Sequence, residues 1–291
     1  MFKGSGVALI TPFKEDGGVD YDRLRQLLEW QIQNQTDAII ICGTTGESAT
    51  MSDAERRSVI KFTVDVVAKR IKVIAGTGSN NAAYALELSQ YCESVGVDGL
   101  LVVTPYYNKA TDLGLRRYYE MIANAVHLPI ILYNVPGRTG VNLKPSVVKE
   151  LSEIPTIIGI KEASGDISQV AEIARLCGKD FFIYSGNDDM IVPVLSLGGQ
   201  GVISVLANLL PKKTHELVDA YLTGSVVKSR ELQLEVNGLV HTLFSEVNPI
   251  PVKTAMNLMG MNVGGLRLPL TEMEAEHVEK LKDEMMKQGL L

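Results

Sequence analysis

At 291 residues, 46% hydrophobic and 21% charged, the chain has the composition of a globular protein and a length that suits a large α/β barrel with an appendage. A net charge of -6 argues against a nucleic-acid partner, which needs a concentrated basic surface. No apolar run approaches the roughly 20 residues that cross a bilayer, the opening MFKGSGVALITPF is a poor signal peptide, and three widely spaced cysteines (Cys42, Cys92, Cys177) make no CxxC pair, so the expected compartment is the cytoplasm.

Short apolar runs recur at Val7–Ile10, Ala38–Cys42, Lys72–Ala75, Gly99–Val103, Ile130–Tyr133, Thr156–Lys161, Phe181–Tyr184 and Gly201–Ser204. Their spacing is roughly the 30 residues of a βα unit. Helical patterns lie between them. Tyr21–Gln33 places Leu24, Leu27, Leu28 and Ile32 on one face, and Ser52–Lys69 carries Val59, Phe62, Val66 and Val67 behind a capping box of Ser52 and Glu55. Eight strands alternating with helices predict a (β/α)8 TIM barrel, closing near Val205 with a last helix over Thr214–Leu222. Residues 225–291 carry no strand pattern and read as a helical appendage to a barrel domain of 1–224. Its expected helices are Val226–Phe244, one from Pro251 to Gly260, and one opened by a capping box of Thr271 and Glu274 and ending near Gly289.

The segments after the strands are the more distinctive ones: GTTGE at 43–47, GTGSN at 76–80, TPYYN at 104–108, YNVPGR at 133–138, KEASGD at 161–166 and SGNDD at 185–189. In a closed barrel they meet at one face, where active sites sit. In Thr156–Lys161, strand alternation puts Ile158 and Ile160 on one face and Gly159 and Lys161 on the other. An amine there, screened from bulk water, is what a carbonyl-condensing enzyme needs. Tyr133 ends the neighbouring strand, and a phenol beside an amine can shuttle protons. Arg138, on a stiff turn, suits a substrate carboxylate. The two glycines of GTTGE let backbone and hydroxyls approach a small carboxylate. Asp188 and Asp189 repel phosphate after the seventh strand, which predicts unphosphorylated carbonyl acids as substrates. The four histidines (His127, His215, His241, His277) show no metal-ligand spacing, and there is no GxGxxG or P-loop, so neither metal nor dinucleotide is expected.

GTTGE, YNVPGRTG and GIKEASGD, in this order and at these separations, make the whole chain resemble the dihydrodipicolinate synthase family of pyruvate-dependent class I aldolases. The resemblance implies that Lys161 forms a Schiff base with pyruvate and that the second substrate is aspartate semialdehyde. It implies a proton relay of Tyr133, Thr44 and Tyr107, the last from a neighbouring subunit, hence a homo-oligomer, in the family a dimer of dimers. Thr44 and Thr45 match the pyruvate-carboxylate contacts and Arg138 the grip on the semialdehyde; Gly186 and Ile203 line the pocket through their backbones. Other pyruvate aldolases, such as N-acetylneuraminate lyases, share the fold and the lysine, and a silent keto-acid-binding barrel would too. Feedback-sensitive members bind lysine through residues matching Ser48, Ala49, Asn80 and Tyr106, with histidines and a glutamate at positions 53, 56 and 84. Here those positions hold Asp53, Arg56 and Tyr84, so weak or absent lysine inhibition is expected.

Overall fold

The computed structural model describes residues 1–291 and contains eight parallel strands closed into one barrel. β1 (Gly4–Ala8) is hydrogen-bonded both to β2 (Ala38–Ile41) and to β8 (Gly201–Ser204), which leaves no free sheet edge. The first strand is set back from the expected Val7–Ile10, because pairing begins where Gly4 and Gly6 let neighbouring chains approach closely. A Cβ on Gly6 would lie 2.6 Å from the Ile40 side chain.

Side chains alternate between two cores. Ile39 and Ile41 join the large apolar layer under the helices, whereas Ala38 and Ile40 join a small cluster in the lumen with Ile74, Leu101, Ile131, Tyr133, Tyr184 and Ile203. Tyr184 on β7 (Phe182–Ser185) stacks on Phe2 with ring centroids 4.5 Å apart and donates its hydroxyl proton to the Phe2 carbonyl at 2.6 Å. That contact fills the lumen with side chains. β6 (Ile157–Glu162) differs from simple alternation at its start: its register with β5 (Ile130–Asn134) shifts around Ile158, so Ile157, not Ile158, shares the helix-facing core with Ile160. Beyond the shift the expected phase returns, and Tyr133 stands opposite Lys161.

Most helices follow the expected signals. α1 (Tyr21–Gln33) is capped by Asp20, and α2 (Asp53–Val67) carries the Ser52–Glu55 capping box in both directions. Between the later strands lie α3 (Ala82–Val95), α4 (Asp112–Ala123), α5 (Pro136–Thr139), α6 (Pro145–Leu151), α7 (Ile167–Cys177) and α8 (Ile191–Ser196). α9 begins at Pro211, three residues before the expected Thr214, since proline suits a first helical turn (Pro211–Leu222). Three helices follow: α10 (Val226–Leu243), α11 (Ile250–Leu258) and α12 (Ala275–Lys287). The Thr271–Glu274 capping box does not form. Glu246, beyond the end of α10, instead accepts the Glu274 backbone N–H at 3.0 Å and sits 2.7 Å from His277 Nδ1, so a tertiary acceptor replaces the local one. No helix is long and apolar enough to cross a membrane.

Candidate active site

The barrel delivers Tyr133 and Lys161 to one place by register alone. Both are buried, at 7% and 6% exposure, and the Lys161 amine lies 4.4 Å from the centroid of the Tyr133 ring. The next residue, Glu162, points the other way and anchors the strand end: its carboxylate accepts from the Ser164 N–H at 2.7 Å and from the amides of Asn134 and Gln169. Gly186 keeps the space beside the amine open. A Cβ there would sit 3.1 Å from Lys161 Cε and 2.5 Å from the Ala163 Cβ. Ile203 belongs to the lumen cluster that contains Tyr133.

Thr44, Tyr133 and Arg138 line one cavity of about 240 Å³, together with Cys42, Arg56 and Tyr106. The Cys42 thiol is no rival nucleophile, because burial pushes its pKa up to about 12 and keeps it protonated. Thr45 is buried behind Thr44, and its hydroxyl accepts from the Asn248 amide at 2.9 Å. Arg138 is itself oriented, donating to the Asn248 carbonyl at 3.1 Å. Tyr107 is not in the cavity: it is 89% exposed, on a backbone with φ of +72°. No set of three or more His, Cys, Asp or Glu side chains is placed to hold a metal ion.

Asp188 does not act as the sequence reading expects. Its side chain is buried rather than presented at the rim, and Oδ2 accepts from the Val205 and Leu206 N–H groups at 2.9 and 3.0 Å. Burial raises its pKa above the ordinary carboxylate value despite those bonds. The carboxylate thus occupies backbone donors that a phosphate after β8 would need, which is a structural obstacle rather than surface repulsion.

Sequence reasoning missed the residues that support the Gly43–Glu47 loop. Glu47 is buried at φ +52°, and its Oε1 accepts from the Lys253 ammonium at 2.9 Å while Oε2 accepts from the Arg267 N–H at 3.1 Å. Arg267 also grips Glu55 and the carbonyls of Gly17 and Thr50. A lysine inside the otherwise apolar helix pattern after Pro251 was the available signal.

A family model described as the Dihydrodipicolinate synthetase family matches residues 1–288. A 4-hydroxy-tetrahydrodipicolinate synthase of Thermoanaerobacter sp. (strain X514) is 59% identical over all of this chain and 98% of its own length. The pyruvate complex of the chloride-inhibited dihydrodipicolinate synthase from Acinetobacter baumannii superposes over the full length of both chains with a TM-score of 0.98 at 42% identity. A dihydrodipicolinate synthase variant described as the first monomeric one superposes with a TM-score of 0.97 at 42% identity, over 100% of this chain and 98% of that one.

Proposed function

Because this chain belongs to the dihydrodipicolinate synthetase family, we propose that Lys161 is the nucleophile through which it condenses its two substrates. The overall reaction is that of a lyase: pyruvate and L-aspartate 4-semialdehyde give 4-hydroxy-tetrahydrodipicolinate, in the diaminopimelate route to lysine. The observation that carries the residue assignment is the enclosed Lys161 amine against the Tyr133 ring. The neutral amine attacks the pyruvate ketone carbon, and Tyr133 relays protons as the carbinolamine loses water to form the imine. Loss of a methyl proton gives an enamine, which bonds to the aldehyde carbon of the semialdehyde. The semialdehyde's own amine then displaces Lys161 and closes the ring.

Thr44 and Thr45 hold the pyruvate carboxylate, and Arg138 takes the carboxylate of the semialdehyde. Gly186 and Ile203 shape the pocket. Tyr107 completes the relay in a neighbouring protomer's site. Its exposure in the isolated chain supports that reading, as does the existence of a variant relative notable for being monomeric. The assembly is a homotetramer arranged as a dimer of dimers, working in the cytoplasm.

Borohydride trapping with pyruvate, followed by peptide mapping, is expected to place the reduced adduct on Lys161, and turnover is expected with aspartate semialdehyde but not with N-acetylmannosamine. An adduct on another residue would overturn the assignment. Lysine is expected to inhibit weakly or not at all. Arg56 is buried, donates to the Gly76 carbonyl at 2.8 Å and lies over the Tyr84 ring, while Asp53 is bonded to Arg57, so no free carboxylate waits there for an ammonium. Half-inhibition at sub-millimolar lysine would contradict this.

A further inference from the structure

We infer that the buried Lys253–Glu47 ion pair is a positioning device for catalysis, through which the C-terminal helices set the loop carrying Thr44 and Thr45. The inference rests on the reading that these threonines hold pyruvate. Lys253, on α11, is 1% exposed and uses all three ammonium protons: on Glu47 Oε1, on the Thr11 carbonyl at 3.1 Å and on the Gly265 carbonyl. It also lies 4.4 Å from the centroid of the Phe13 ring. Every donor is satisfied within the protein, so this amine binds no ligand of its own. Its task is internal.

Stability alone is a poor account of such a pair. Removing two charges from water costs much of what their attraction returns, and two well-packed apolar side chains would often serve as well or better. Burial indeed pulls the Lys253 pKa below the ordinary lysine value, although Glu47 works against it. A charged pair does something an apolar pair does not: it fixes an oxygen at a bonding distance and angle.

The loop needs that. Cys42 and Glu47, at its two ends, both have positive φ without being glycine, at +55° and +52°, a conformation that persists only where the surroundings enforce it. The Glu47 carboxylate is held on both oxygens, by Lys253 and by the Arg267 N–H. One residue earlier, the Gly46 carbonyl accepts from the Thr11 hydroxyl at 2.7 Å, and Thr45 is bonded to Asn248. Lys253 and Asn248 thus act on the pyruvate contacts from behind, without touching substrate.

Two single variants and one double variant test the assignment in the full-length enzyme. Lys253→Met removes the charge at similar volume, and Glu47→Gln keeps the shape while weakening the pair. Each is expected to raise the pyruvate concentration that half-saturates borohydride trapping about tenfold, and up to about 100-fold if the loop moves by an ångström. The kcat/KM for pyruvate should fall by the same factor. The double variant Lys253→Met/Glu47→Met is expected to melt above Lys253→Met alone, because no unpaired charge stays buried, while pyruvate kinetics stay as impaired as in the single variant. A merely structural pair would give kinetics that recover with stability, and that result overturns the proposal, as do folded single variants with wild-type pyruvate saturation. Should the double variant not fold, Glu47→Gln decides alone. Failure of the underlying reading looks different, because Thr44→Val and Thr45→Val would then leave pyruvate saturation at the wild-type value.

Discussion

The strand-borne and loop-borne halves of the site are fixed by unlike means. Tyr133 and Lys161 face each other because β5 and β6 pair in register, and β6 is tied in the same way to β7, where Tyr184 stands opposite Lys161. Backbone ladders on both sides fix that half. The threonines of the Gly43–Glu47 loop lie beyond any ladder. Their supports, Asn248, Lys253 and Arg267, lie 203 to 220 residues further along the chain and act through single side-chain or backbone bonds. The first half should tolerate the loss of any one neighbouring side chain, whereas the second depends on a few bonds at long sequence separation.

The sharpest way to break that comparison is at the nucleophile. Lys161→Ala is expected to lower kcat by roughly 10⁴-fold or more and to abolish borohydride trapping, with folding intact. Near-normal turnover would remove the strand-borne half from the mechanism. Tyr133→Phe keeps the ring over the amine and deletes only the hydroxyl, so kcat should fall about 10²- to 10³-fold with little change in melting temperature. A loss below about tenfold would mean that another group relays the proton. Gly186→Ala asks how tightly the ladders hold the site. The added methyl meets Ala163 Cβ and Lys161 Cε, so overpacking should cost about 1–3 kcal/mol of stability and slow trapping about tenfold. Wild-type trapping in that variant would show slack around the amine.

The same division decides what could be read from the chain. Strand runs, the phase of β6 at Lys161 and the Tyr133–Lys161 juxtaposition follow from period-two alternation and the order of a closed barrel, which are local or topological rules. Ile157 taking the place of Ile158 does not follow, because a register shift depends on the partner strand. Asp188 was misplaced for a related reason: its acidic character is visible in SGNDD, but the two N–H groups that bury it come from the turn after the next strand. Glu47 stands within a distinctive motif, yet its partners do not follow from it: the lysine in the helix pattern after Pro251 signals a buried charge without naming what it pairs with, and nothing marks Asn248 as facing that loop. Arg267 shows the limit most plainly, joining Gly17, Glu47, Thr50 and Glu55 from a segment with no regular structure.

That arginine supplies the smallest effect and a test of how the outer part of the clamp differs from its buried centre. The Arg267 guanidinium bonds Glu55 at 2.5 Å and, as the leading cause, holds its carboxyl at about 2, with the Ser52 backbone N–H helping and partial burial opposing. The folded-state value lies below the ordinary glutamate value, so the pair's contribution is complete above about pH 4.5 and is lost as pH falls toward about 2. The two side chains are 18% and 32% exposed, and solvent screening limits the gain to about 1 kcal/mol or less. Glu55→Gln should therefore lower the urea midpoint slightly at neutral pH, with the difference from wild type shrinking to nothing by about pH 2. Pyruvate saturation should stay within about twofold of wild type, because Lys253 and Asn248 still hold the loop at Glu47 and Thr45. A change in pyruvate saturation as large as that of Lys253→Met would instead make the exposed bridge part of the same positioning device, and the line drawn between buried centre and solvent-facing rim would have to move outward.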